Sequence, residues 1–344
     1  MTPLPITSKW MSFTCWGRYS HQTFIIVALR PLAIHVANNE FACVHTQLQR
    51  ANNKIHAELP SRANKLKMNE NFENFANSLP IIGSRISHLE TTTSTMDIAW
   101  TLADEGAPDG TVVISDHQSA GRGRYDRSWV SKPAEDILCS VLLRPRVALA
   151  GELLMLAALA VANVAEDLGV AVGIKWPNDV QVLGKKLAGV IAESKTGLEL
   201  VSEDGGPESD SPIVRVDRIT AVIGIGLNVN FDSKSTNANV PNSTSLANEL
   251  GRQLDRREVF EILMESLDNH YRAITAGGTV LPEWRERLTT LDKQVTIAAG
   301  KTSSSPDLTG IAHDVDSAGR LIVRDESGRD WPVSAGEVTI KDII

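Results

Sequence analysis

The sequence predicts a mixed α/β domain with a small β-barrel appended at its C-terminal end. Three observations predict it. From about Ile81 helical and strand patterns alternate, beyond Leu291 the texture changes to short strands separated by turns, and residues 1–68 share neither pattern.

The elements follow in order. Ser94 stands where a helix cap is needed, and the helix it opens runs to about Glu105, where Gly106 ends it. Thr111 to Ser115 is β-branched and reads as a strand, as does Ile137 to Leu143. Gly151 to Leu168 is a long, nearly all-apolar helix, which requires burial on most sides. Val180 to Leu183, then Gly184-Lys185, then Lys186 to Ala192 reads as a β-hairpin whose tip carries two lysines. Residues 202–211 are acidic and turn-rich, an exposed loop. Ile219 to Leu227 is a strand, and Asp255 to Ile274 an amphipathic helix with Val259, Ile262, Leu263 and Leu267 on one face. The tail strands are Val295 to Ala298, Leu308 to His313, Leu321 to Arg324, Trp331 to Val333 and Glu337 to Ile340.

At 344 residues the chain has room for two or three domains, and 42% hydrophobic with 22% charged residues is ordinary for a globular protein. The net charge of -8 and pI near 5.5 argue against a whole-protein footprint for nucleic acid or anionic membrane. The charge is uneven. Residues 1–68 hold eight Lys/Arg and two Asp/Glu, against 26 basic and 40 acidic in the rest. This first segment also holds four of the eight histidines and shows no sustained period, so it reads as poorly ordered. Met68 reads as the true start, the upstream residues being an over-extended translation. Residues 69–290 and 291–344 then form the two folded domains. Cys15, Cys43 and Cys139 are too few and scattered for a disulfide framework or a zinc site, which fits a reducing, cytoplasmic setting. The early apolar run Phe24 to Leu29 is broken by Arg30 and Pro31, far short of the ~20 residues a membrane helix needs.

Four segments carry chemistry. Gln118-Ser-Ala-Gly-Arg-Gly-Arg-Tyr-Asp-Arg-Ser-Trp129 sets two glycines and three arginines just after a strand. Glycines let backbone N–H groups approach an anion, and Arg122, Arg124 and Arg127 can supply forked donors to its oxygens. A solvated basic loop explains the segment equally well, because Asp126 stands where a third glycine would complete a G-x-G-x-x-G pattern. No G-x-x-x-x-G-K-[ST] phosphate loop occurs anywhere, which argues against an ordinary P-loop NTPase.

Lys175-Trp-Pro-Asn-Asp179 with Lys186 is sharper. Pro177 forbids helix, so Asn178 and Asp179 open the hairpin strand, and across its turn Asp179 and Lys186 can approach each other. A carboxylate can orient a metal or a lysine, and a fixed ammonium can neutralise charge developing on an α-phosphate. An incidental surface pair would look similar and contribute at most about 1 kcal/mol. Ala188 and Gly189 favour a closely approached ligand wall. The hydroxyls of Thr91-Thr-Thr-Ser-Thr95 either cap a helix or bind a small polar ring. Gly224-Ile-Gly-Leu-Asn-Val-Asn230 either lets a ligand lie against backbone or is a bulged core strand.

Taken together and in order, Ser94-Thr95, Gly121-Arg-Gly-Arg124, Lys175-Trp-Pro-Asn-Asp179, Gly184-Lys-Lys-Leu-Ala-Gly189 and Gly224-Ile-Gly-Leu-Asn-Val-Asn230 closely resemble the biotin–protein ligase family over about Ser84 to Ile344. The resemblance implies an α+β catalytic fold of the class II synthetase-like kind, a mixed β-sheet flanked by helices, with an SH3-like barrel at the C-terminus. It also implies a two-step reaction. Biotin's carboxylate attacks the α-phosphate of ATP to give biotinyl-5'-adenylate and pyrophosphate, and a lysine of a biotin carboxyl carrier domain then attacks the adenylate. On the same resemblance Ser94, Thr95, Gln118 and Gly189 contact biotin, while Arg122, Gly123 and Arg124 close over biotin and the adenylate phosphate. Lys186 is the charge-stabilising catalytic lysine, Arg124 assists it, and Asp179 is its partner or an orienter of Mg²⁺. Trp129, Lys175, Asn178 and Asn228 fall on the nucleotide side.

Met96 departs from the asparagine that many members have after Ser-Thr, and Asp126 from a glycine. Residues 1–68 lack the helix pair of a winged helix-turn-helix, which favours a mono-functional enzyme without DNA binding. Two rivals stand beside this reading. Lipoate–protein ligases share the fold and adenylate logic, though the lysine-bearing hairpin and the tail favour biotin. A DNA-binding biotin sensor would use the basic first segment for weak, salt-sensitive binding.

Overall fold

Strands rich in apolar residues on both faces need cover on both sides, and the long apolar helix supplies one cover. The computed structural model describes residues 79–83, 85–124, 127–196, 199–201, 214–216, 218–232, 242–298, 307–334 and 337–341, so the readings of residues 1–68 and 202–211 fall outside it. The described residues all belong to one unit, Lys65–Ile344.

In chain order the elements are β1 (Arg85–Thr92), α1 (Thr95–Asp104), β2 (Thr111–Gln118), the short strands β3 (Gly121–Arg122) and β4 (Ser128–Trp129), β5 (Ile137–Leu143), α2 (Glu152–Asp167), β6 (Gly173–Lys175), β7 (Asp179–Val182), β8 (Lys185–Thr196), β9 (Glu199–Val201), β10 (Val214–Val216) and β11 (Ile219–Leu227). There follow α3 (Leu246–Leu250), α4 (Arg256–Thr275), α5 (Leu281–Glu286), β12 (Gln294–Ala298), β13 (Leu308–Val315), β14 (Leu321–Arg324), β15 (Asp330–Val333) and β16 (Glu337–Lys341).

The main sheet has seven strands in the order β1-β2-β5-β11-β8-β7-β6. Only β1 and β2 run parallel, so the sheet is mixed, as expected. Helix α1 covers one face, with Met96, Ala99 and Leu102 packed on Val113, Leu142 and Val222. Helix α2 lies on the other face and is buried from Leu153 to Ala165 except at Leu154 and Asn163, with α4 packed outside it. That arrangement explains its all-apolar composition: one side meets the sheet and the other meets a second helix. Asp255 caps α4 by accepting from the Arg257 N–H at 2.8 Å.

The tail strands pair as a five-stranded antiparallel sheet in the order β15-β14-β13-β12-β16, in keeping with the small SH3-like domain expected there. Its apolar residues Val295, Ala312, Leu321 and Val323 join the same core cluster as α2. Backbone bonds from Ile174 N to Arg287 O and from Thr289 N to Ile174 O fasten β6 to the segment that leads into this sheet. No helix among the described residues is long and apolar enough to cross a membrane.

Candidate active site

The hairpin is where the sequence reading meets geometry. Leu183 (φ 47°) and Gly184 (φ 80°) make the two-residue turn with both backbones in the left-handed region, the type that matches strand twist. Pairing then shifts by one residue between Val180 and Gln181: Gln181 faces Lys186, yet Val180 faces Ala188, so Leu187 is inserted as a bulge. The bulge has a chemical use. Lys186 and Gly189 are three residues apart and would point to opposite faces of a regular strand, but here both border the same cavity. Asp179, opposite Gly189, joins them, and Lys186 Nζ lies 2.7 Å from Asp179 Oδ1.

The cavity occupies about 300 Å³ on the α1 face of the main sheet. Every site residue expected from the sequence borders it: Ser94, Thr95, Gln118, Arg122, Gly123, Arg124, Trp129, Lys175, Asn178, Asp179, Lys186, Gly189 and Asn228. At one end Thr95 fixes Gln118, whose Oε1 accepts from the Thr95 backbone N–H at 2.7 Å and from its hydroxyl at 3.1 Å. The Gln118 amide NH₂ is therefore left as the donor. Thr95 Oγ1 also meets Ser140 Oγ at 2.8 Å, a residue the sequence reading missed because it is one serine inside an apolar strand. Ser94 precedes α1, but its hydroxyl makes no capping bond and lines the cavity instead.

At the other end Asn178 is a brace. Its Oδ1 accepts from Arg124 at 3.0 Å and its amide donates to Val190 O, so this side chain ties the arginine loop to β8. Asn228 braces backbone too, donating to Thr244 O at 2.8 Å and Lys186 O at 3.4 Å. Arg122 is held differently, 2.8 Å from Asp97 Oδ1 and 3.6 Å from Glu193 Oε1. Gly123 N donates to Arg127 O at 2.7 Å, closing the base of the loop.

The glycines of Gly224-Ile-Gly226 do allow a close approach, and the approaching groups are protein side chains. A Cβ on Gly226 would stand 2.5 Å from the Trp129 ring, and one on Gly224 2.8 Å from Met96 Sδ. Gly226 pairs with Gly189, so the Trp129 indole lies across a glycine pair on neighbouring strands. Lys186 Nζ sits 5.5 Å from the centroid of that ring. The cavity thus has a hydroxyl and amide end, an aromatic wall and a cationic end.

The metal expectation can be tested against the donors. Among the described residues no group of three or more His, Cys, Asp or Glu side chains is placed to hold an ion, and Asp179, the one carboxylate lining the cavity, is paired with Lys186. These residues do not build a protein cage for Mg²⁺.

Behind the cavity lies a polar cluster that the sequence reading did not find. Asp136 is 1% exposed and accepts from the Val229 N–H at 3.0 Å through Oδ1, while its Oδ2 is buried without a partner. Arg256 donates to the Asp136 backbone oxygen and to Asp116 Oδ1, each at 3.0 Å, rather than to this carboxylate. Burial therefore pushes the Asp136 carboxyl up to about 7, against the pull of the Val229 N–H.

Comparison with known proteins places this geometry. Residues 88–202 match the model of the biotin/lipoate A/B protein ligase family. A biotin–[acetyl-CoA-carboxylase] ligase of Mycobacterium tuberculosis is 32% identical over 258 residues, covering 72% of this chain and 86% of that protein. The bifunctional ligase/repressor BirA of Bacillus subtilis is 32% identical over 62% of this chain, which spans 61% of that relative's length. Among solved structures, the biotin protein ligase of Aquifex aeolicus in complex with biotin and ATP shares the fold, with a TM-score of 0.58, 22% identity, and coverage of 75% of this chain and 98% of that one. The identity with the mycobacterial ligase and the extent of chain it covers show that this protein belongs to the biotin–protein ligase family.

Proposed function

We propose that the chain is an ATP-dependent biotin–protein ligase, which joins biotin to AMP and then passes biotin to a lysine of a biotin carboxyl carrier domain. The observation that carries the reading is the pairing of Lys186 with Asp179 at the glycine wall of a cavity whose opposite end is set with Ser94, Thr95 and Gln118. The hydroxyls and the Gln118 amide suit the polar ring of biotin, and the aromatic wall suits its aliphatic chain. Its carboxylate would then extend toward Lys186. As that carboxylate attacks the α-phosphate, negative charge grows on the phosphoryl oxygens and pyrophosphate departs. The ammonium of Lys186, oriented by Asp179, and the guanidinium of Arg124, braced by Asn178, are the cations positioned to oppose it. The mixed anhydride must be kept from water until the carrier lysine attacks its carbonyl carbon and AMP leaves.

Mg²⁺ belongs in this proposal as the companion of the ATP phosphates, since among the described residues the cavity offers one carboxylate and that one is paired. Lys175 takes the nucleotide side, and the Trp129 ring, close to Lys186, borders both substrates. A cytoplasmic location suits an ATP-consuming enzyme of this kind. The test is to incubate the full chain with ATP, Mg²⁺, biotin and a carrier domain. Covalent biotin on the carrier, with pyrophosphate release that requires biotin, is the expected result. Exchange of pyrophosphate into ATP that requires lipoate and ignores biotin would overturn it.

A further inference from the structure

We infer that Arg122 is the latch of the arginine loop, a positioning residue that holds the loop across the cavity by gripping two carboxylates, rather than a ligand of the phosphate. Three segments of the cavity wall meet at its guanidinium. The residue sits on β3, Asp97 lies in the first turn of α1 two residues after Thr95, and Glu193 lies on β8 four residues after Gly189. The Glu193 acceptor is itself held in place. Glu193 Oε2 accepts from Trp100 Nε1 at 2.9 Å, Lys195 Nζ stands 4.2 Å from the centroid of the Trp100 ring, and Lys195 reaches Asp104 at 3.8 Å.

Charge argues the same way. Arg122 faces two carboxylates, whereas Lys186 is paired with Asp179. Turning Arg122 toward a phosphate would leave Asp97 and Glu193 facing each other without their cation. All three side chains of the clasp are close to half exposed, so each contact is individually weak. Weak contacts suit a loop that must open to admit substrate and close before chemistry.

The kinetic consequence rests on the ligase reading; the clasp does not. Full-length wild type, R122Q, R122K, D97N/E193Q and the triple variant R122Q/D97N/E193Q are compared by hydrogen exchange of the amides of residues 119–124 and 127–130 without ligand, and by biotin-dependent pyrophosphate–ATP exchange. R122Q and D97N/E193Q are expected to speed amide exchange severalfold and alike, and the triple variant to go no further. In both, KM for biotin rises severalfold with little change in kcat, and R122K recovers most of the loss. The inference is overturned if D97N/E193Q leaves amide exchange and KM at wild-type levels while R122Q lowers kcat by orders of magnitude, or if the effects add in the triple variant. Absence of biotin-dependent exchange in wild type would sink the ligase reading, and the amide data would still decide the clasp.

Discussion

Replacing Asp136 with asparagine should make the protein more stable, and increasingly so as pH rises. The carboxyl ionises at its ordinary 3.8 when the chain is unfolded and at about 7 when it is folded. Below 3.8 both states hold the proton and burial of the group is not opposed by ionisation. Between the two values only the unfolded chain ionises, so stability falls by about 1.4 kcal/mol per pH unit and the loss is complete, at about 4 kcal/mol, above the folded value. Asparagine keeps an acceptor for the Val229 N–H and has no proton to lose. Between pH 5 and pH 8 the advantage of D136N over wild type should therefore grow by about 2–3 kcal/mol. For a domain of this size that corresponds to Tm curves that diverge by roughly 5–10 °C. Thermal unfolding followed by circular dichroism at pH 5, 6, 7 and 8 measures it. A constant offset between the two proteins across that range would show that Asp136 is already ionised at pH 5, and the reasoning would be wrong.

The remaining predictions concern the cavity and its hairpin. Lys186→Ala should fold with wild-type stability and lose adenylate formation by an amount on the order of 2.7–4 kcal/mol, read from pyrophosphate–ATP exchange; near-normal exchange would remove Lys186 from its role. Gly226→Ala drives a methyl into the Trp129 ring, which a Cβ would approach to 2.5 Å, so the indole must leave the glycine pair. Calorimetric titration should show weakened biotin binding, and unchanged affinity would show that the ring does not form the ligand wall. Leu183 is 96% exposed and has φ of 47°, so Leu183→Asn relieves a left-handed backbone at no burial cost. It should stabilise by about 0.5–1 kcal/mol in urea unfolding, with activity retained; a loss of stability would contradict the turn geometry.

The motif-bearing residues were legible because their chemistry is local. Glycine, lysine and aspartate at short spacings around a predicted turn already placed Asp179 near Lys186, and apolar period placed α2, β5 and β11. What stayed hidden depends on partners distant in sequence. The pairing of Arg122 with Asp97 is invisible until α1 and β3 are brought together, and Glu193 reads as a solvated strand residue. Asp136 looks like an acid in a turn, and nothing in its neighbourhood tells that Arg256 will bond its backbone oxygen instead of its carboxylate. The bulge at Leu187 is equally silent, because the consecutive buried residues Leu187 and Ala188 that break the alternation also fit a strand covered on both faces. Strand β1 was missed for a different reason: it is an edge strand with only one neighbour, and its Arg85-Ile-Ser-His-Leu-Glu-Thr-Thr92 mixes exposed and buried positions without clean alternation.

The indole of Trp176 forms part of the cavity wall and donates to the carbonyl of Gly319, 143 residues further on. A ribosome delivers these two groups at different times. At about 5–20 residues per second the carbonyl is made roughly 7–30 s after the tryptophan, so a nascent chain carries every lysine and arginine of the cavity well before the wall behind them can be seated. Completion of the cavity wall is therefore a late event in the synthesis of this protein, timed by the turn between β13 and β14.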